Sequence, residues 1–259
     1  MARARATAVL ARNELRYLVA LPGPALAYLL MPIVMIAFVS RSFQVVVNQF
    51  GYPSAQGGEL AVPAMATMFG FLVAAHYGLF FFNEHQWGIW QRLRGSAVGG
   101  SQILAAKGSV LAAHEVVQFV LLVVVVGPFV GLVPRPRYWS LLVVIVATVA
   151  MITAFAGLAA IVSPTQAVYD GICYGGGILL TALGGGIAPY WLLPTWVQRV
   201  APASPVYWTL RGFRVVVLDD RSIGAVVPSV GVLLAFAAGF ALVGRATYRP
   251  TARKSARIR

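Results

Sequence analysis

The chain has 259 residues, of which 59% are hydrophobic and only 10% charged, and its mean hydropathy is +0.81. A soluble domain usually carries about 25% charged residues, so a water-soluble globular enzyme is excluded and lipid is the natural solvent. The net charge of +13 comes from 20 Lys and Arg against 7 Asp and Glu. These cations flank apolar runs, which marks them as topogenic charge at helix ends and not as a nucleic-acid surface.

Residues 1–20 read as an N-terminal helix, with Arg5, Arg12 and Arg16 on one face, which either meets anionic headgroups or a cytoplasmic partner or is merely solvated. Arg12, Glu14 and Arg16 interrupt the approach to the first apolar run, and no A-x-A cleavage site follows, so a secretory signal is not predicted. Six runs then approach the roughly 20 residues needed to cross a bilayer. They lie near 21–43, 63–82, 104–130, 138–162, 167–187 and 224–244. The fifth carries seven glycines between Gly171 and Gly186. Thirteen Lys and Arg fall on the side of the two termini and seven on the other. The positive-inside rule therefore predicts cytoplasmic termini, the second of them a basic tail over 245–259.

The loop over 83–100 begins NEHQWGIWQRLR. On a continuous helix Trp87, Ile89, Trp90 and Leu93 share one arc, and Glu84, His85, Gly88, Gln91 and Arg92 share the opposite one. This predicts a short interfacial helix with its indoles in the headgroups. It is either a plain interfacial anchor or a docking helix whose polar face meets a cytoplasmic motor protein.

The third run contains His114 and Glu115, with Gln118 one turn later. A charged residue at mid-bilayer costs about 2.5–3.5 kcal/mol on insertion scales, so it faces protein or water. Two readings stand: a lining of a substrate path that favours cationic amphiphiles, or a structural hydrogen bond. The outer segment 188–222 is apolar, aromatic and broken by Pro189, Pro194, Pro202 and Pro205. Such a stretch is too short to span, which predicts a re-entrant hairpin. Trp191, Trp196 and Tyr207 belong either to an aromatic belt or to an outer lid. Arg211 and Arg214 follow it, with stems able to snorkel to the headgroups or to hold an anionic lipid-linked substrate.

The chain reads as a single transmembrane domain, all-α and polytopic, with no soluble domain. It has no G-x-x-x-x-G-K-[ST] phosphate loop, no H-E-x-x-H, and one cysteine, Cys173, so neither catalytic residues nor a metal site are predicted. An ion-driven transporter would show inverted repeats, and the glycine-interrupted fifth run has no counterpart in the first half. An intramembrane enzyme would need paired His, Asp or Ser groups at membrane depth, and the chain has only His76, His85 and His114.

Six spans, the E…G…RLR helix before the third, and Pro189-x-Trp191-x-x-Pro194 followed by Pro205 and Tyr207 resemble the type-2 permease subunits of ABC exporters. Size and layout are most similar to the daunorubicin-resistance group. Glu84, Gly88, Arg92, Leu93 and Arg94 match the family's coupling-helix pattern, with Gln86, Ile89, Gln91 and Ala97 replacing an acid, a threonine, an acid and a proline. The resemblance implies a plasma-membrane exporter of a hydrophobic or amphiphilic small molecule, or alternatively of a lipid-linked glycan. It implies a second permease, identical or paralogous, and a separate cytoplasmic ATPase that binds the ATP and Mg. No cofactor and no nucleic acid are expected on this chain.

Overall fold

The computed structural model describes residues 12, 22–90, 92, 99–132, 138–248 and 254. Among these residues helices dominate and no β-strand occurs. With no water in the hydrocarbon core, every backbone N–H and C=O must be paired within the chain, and a helix does this segment by segment.

Eight helical elements position the site. They are α1 (Pro22–Gln49), α2 (Gly58–Gln86), α3 (Gly100–Val120), α4 (Tyr138–Val162), α5, α6 (Thr195–Val200), α7 (Pro205–Val217) and α8 (Val227–Thr247). Helix α3 continues through a π segment, Leu121–Val126, into a 3-10 turn, Gly127–Val130. Helix α5 comprises Gln166–Asp170, a π segment Gly171–Gly176 and Gly177–Leu183. Among the described residues five helices are long and apolar enough to cross a membrane: α1, α2, α3 with its extension, α4, and α8 with its leading turn. Helix α4 keeps its expected bounds, 138–162, and the other four run several residues beyond one or both of theirs. The fifth expected run is helical but ends at Leu183, where Gly184–Gly186 turn the chain, Gly185 with φ +87°. Its glycines also dilute its hydropathy, so it does not join the five.

Helix α2 is the centre. It packs against α1, α3, α4, α5 and α7, and 67% of its apolar window is buried, against 28% for α1 and 17% for α8. Small residues permit this. Tyr169 of α5 lies flat against Gly78, where any Cβ would enter its ring. The Tyr169 hydroxyl then donates to the Ala74 carbonyl at 2.6 Å. Phe71 fills the equivalent gap at Gly177. Between α4 and α7, the Thr148 and Thr209 hydroxyls meet at 3.0 Å in a fully buried position. Close packing of small residues and short polar links are what hold helices together where lipid removes the hydrophobic difference.

The bundle has two distinct ends. At one, the 50–57 turn meets the segment after α5 and the exit of α7, through Phe50 against Trp191 at 5.8 Å and the Tyr52 hydroxyl donating to Asp219 at 2.5 Å. At the other lie the α2–α3 loop, the α4–α5 turn and the end of α8. Helix α7 has 13 residues, about 20 Å at 1.5 Å per residue, too short to cross the roughly 30 Å hydrocarbon core.

The Gly78 contact makes a direct prediction. Gly78→Ala overpacks the α2–α5 seam and should cost about 1–3 kcal/mol, read as a lower melting temperature in detergent. Gly231→Ala on α8, where an added Cβ meets open space, should leave stability unchanged or raise it by up to about 1 kcal/mol through helix propensity.

Candidate functional site

Three places carry polar or open features. The first is the expected coupling helix. The single amphipathic helix read over 83–94 is not what forms. Asn83 to Gln86 complete the last turn of α2, and Gly88 takes φ +71°, a left-handed conformation that glycine adopts without strain. Helical residues resume at Ile89, with the Arg92 N–H donating to the Gly88 carbonyl at 3.2 Å. Gly88 therefore resets the helical phase, and the expected arcs separate. Trp87 is 60% exposed, whereas Trp90 is 6% exposed and stacks on His85 with centroids 4.3 Å apart. His85 is held in turn by the Phe81 carbonyl at 2.8 Å. Glu84 pairs with Lys107 of α3 at 2.7 Å, tying α2 to α3. Arg92 is exposed. Leu93 and Arg94 lie outside the described residues, as does the N-terminal 1–20 segment apart from the helical, exposed Arg12.

A residue that sequence reasoning missed sits beside this loop. Lys254 Nζ donates to the Ile161 carbonyl at 2.9 Å and the Ser163 carbonyl at 2.6 Å, closing the end of α4. It lies about 6 Å from the Phe81 and Phe82 rings. A cation at a helix C-terminus satisfies orphan carbonyls and opposes the dipole. Within an arginine-rich tail nothing in the sequence marked it. Burial lowers the Lys254 amine from its ordinary 10.5 to about 8. Between about pH 8 and 10.5 docking of the tail therefore releases a proton, and the neutral amine still offers two N–H donors for two carbonyls. Docking should tighten several-fold as pH rises through 8 toward 10.5. A nitroxide at Ala256 should lose mobility between pH 7.5 and 9.5, and Lys254→Met should abolish that change.

The second place is a groove of about 670 Å³ between α2, α3, α4 and α8, within the range of small-molecule sites. Leu104, Leu111, Ala112 and Val116 of α3 face Val149, Gly157 and Ile161 of α4, with Tyr77 and Phe81 of α2 and Phe240 of α8. Lys107, Ser109 and Thr153 supply its polar points. One turn beyond Leu111 on the same face of α3 stands Glu115, fully buried, followed by Gln118, 1% exposed. The Glu115 carboxylate lies against Gly70 of α2, near enough to touch an added Cβ at 3.7 Å. Neither its oxygens nor the Gln118 amide finds a hydrogen-bond partner among the described residues. His114 shares a hydrogen bond with the Tyr77 hydroxyl at 3.3 Å. Glu115 was legible in sequence as an acid inside an apolar run. The groove was not, because four helices make it jointly.

The third place is the segment after α5. Pro189 precedes a 3-10 turn, Tyr190–Leu192, Pro194 caps α6, and Pro205 starts α7. Each proline stands where its missing N–H is not needed. Trp191 and Tyr207 turn into one small cavity, Tyr207 against Tyr190 at 5.2 Å, whereas Trp196 points outward at 64% exposure. Among the described residues no cluster of three His, Cys, Asp or Glu side chains could hold a metal ion.

Long apolar helices around a glycine-relieved centre, a large apolar groove and a polar loop at one end define a membrane permease. The sequence model of the ABC-2 type transporter family matches residues 8–218, and the chain belongs to that family. It is the multi-pass membrane subunit of an ABC transporter and not the ATPase, and the family implies an ABC ATPase as its partner. No curated protein matches the sequence.

Proposed function

We propose that this permease exports a hydrophobic or amphiphilic small molecule, as in the daunorubicin-resistance group. The apolar groove of about 670 Å³ carries that reading. A lipophilic molecule in the inner half of the bilayer would partition into it, with Lys107, Ser109 and Thr153 meeting its polar part. In this reading α5 completes a sixth span and 188–222 forms the outer hairpin, with Pro189, Trp191, Pro194, Trp196, Pro205 and Tyr207 as its gate. The termini and the Glu84–Lys107 end face the cytoplasm. The ATPase docks around Gly88 and the exposed Arg92, and two permeases form the path. ATP and Mg bind to the partner. Export of a lipid-linked glycan is the second reading, favoured by the Arg211 and Arg214 side chains set over Trp208 and Trp191.

Gly157 lines the groove, and an added Cβ there meets open space. Gly157→Phe should fill the groove without disturbing the fold. In proteoliposomes with the cognate ATPase, drug-stimulated ATP hydrolysis should fall at least about tenfold while basal hydrolysis persists, since a blocked ligand loses a few kcal/mol of apolar contact. Unchanged stimulation across a panel of amphiphiles would sink the groove reading.

His114, Glu115 and Gln118 are proposed to line the path when the helices rearrange. Glu115→Met removes a buried polar group that has no partner, so it should leave stability unchanged or raise it by about 1–3 kcal/mol. Uptake of a cationic amphiphile into inverted vesicles should fall while a neutral one is spared. Loss of both together, or a lower melting temperature, would assign Glu115 to structure alone.

A further inference from the structure

At the end of the bundle opposite the Glu84–Lys107 pair, Arg211 and Arg214 stand one turn apart on α7. The Arg214 guanidinium carbon lies 5.6 Å from the Trp191 ring, and that of Arg211 lies 5.1 Å from the Trp208 ring. These stacks orient both forks. Arg211, Arg214 and Trp191 share the walls of a cavity of about 30 Å³ with Gly184, Gly185 and Tyr190. Two of these residues also carry a donor that is shielded from solvent and has no hydrogen-bond partner among the described residues: Nε of Arg214 and Nε1 of Trp191. No carboxylate lines the cavity. Asp219, the acid next along the chain, accepts the Tyr52 hydroxyl instead.

A buried donor without an acceptor is costly, and here two sit beside two permanent cations. What the cavity lacks is an acceptor-rich anion. A water holds about 10–15 Å³ of such space, so the cavity admits one or two oxygens of a larger group whose remainder stays outside. Arginine forks match phosphate oxygens with paired hydrogen bonds, and an indole N–H adds a donor without charge. Phosphate esters are also the anions that a membrane-embedded surface meets most often.

We propose that Arg211, Arg214 and the Trp191 indole form a binding site for a phosphoryl group, which inserts its oxygens between α7 and the 3-10 turn at Tyr190–Leu192. The site stands whichever molecule crosses the membrane. The phosphoryl group comes either from a bilayer lipid or from a phosphate-bearing molecule outside it.

The test uses the full chain, delipidated in an uncharged maltoside detergent. Native mass spectrometry and thermal unfolding are followed with dilauroyl phosphatidylglycerol, with dilauroylglycerol, which has the same chains and no phosphate, and with inorganic phosphate. Phosphatidylglycerol should bind and stabilise where dilauroylglycerol does not. Trp191→Phe keeps a smaller aromatic ring under Arg214 and removes the indole donor, and should weaken binding roughly tenfold. Arg211→Gln with Arg214→Gln should abolish it. Protection by millimolar inorganic phosphate alone, lost in the same variants, assigns a free phosphoryl group, whereas protection by phosphatidylglycerol only assigns a lipid. Equal binding of the two dilauroyl lipids overturns the proposal. So does wild-type affinity for both phosphate probes in Trp191→Phe, which has lost the indole donor.

Discussion

The bundle depends on how closely its helices can approach α2. In a bilayer, burying one apolar surface against another gains little over leaving it in lipid, so contact distance and short polar links decide which helices associate. Gly70, Gly78 and the facing Gly177 remove side-chain bulk at three levels of the α2 seam. The Tyr169 ring occupies one of these gaps, and its hydroxyl reaches the Ala74 carbonyl, which already serves the α2 ladder. Both the groove and the buried Glu115 follow from this seam. Helix α4 closes on α2 near Gly70 and Ile152, and the wider gap beyond Gly78 is left open toward α8.

How much of this was legible in the sequence varies with the range of the cause. Long apolar runs report their own solvent, so α1, α2, α3, α4 and α8 were readable one at a time. Prolines were readable too. Pro189, Pro194 and Pro205 each begin a short helical element, because a fixed φ and a missing N–H favour a first turn. The helix expected over 83–94 was misread because a helical wheel assumes a continuous helix. One left-handed residue, Gly88, rotates everything after it and sends Trp90 inward onto His85. The candidate site divides in the same way. Glu115 announced itself by its chemistry, whereas the groove and the Lys254 contact depend on segments far apart in sequence, which no local pattern encodes.

Polar chemistry is sorted between the two ends and the interior. Near Glu84, charge is used inside the chain: the Glu84–Lys107 pair and the Lys254 contact brace the α2–α3 loop and the α4–α5 turn against each other. At the other end the cations stack on tryptophan and keep donors in reserve. Between them the π segments of α3 and α5 interrupt regular helix near mid-chain, where widened turns are common at functional positions.

The two internal cations at the Glu84 end, Lys107 and Lys254, are also the only lysines in the chain, and the other eighteen cationic side chains are arginine. Lys107 is 12% exposed, and Lys254 is half-buried over two phenylalanine rings. Reagents that couple to primary amines will therefore find few side-chain targets on this protein. A lysine-directed crosslinking map of the assembled transporter would show blank surface where subunits in fact touch. Carbene-generating or carboxylate-directed probes suit it better, and any lysine introduced by design becomes a nearly unique handle for a label or a surface tether.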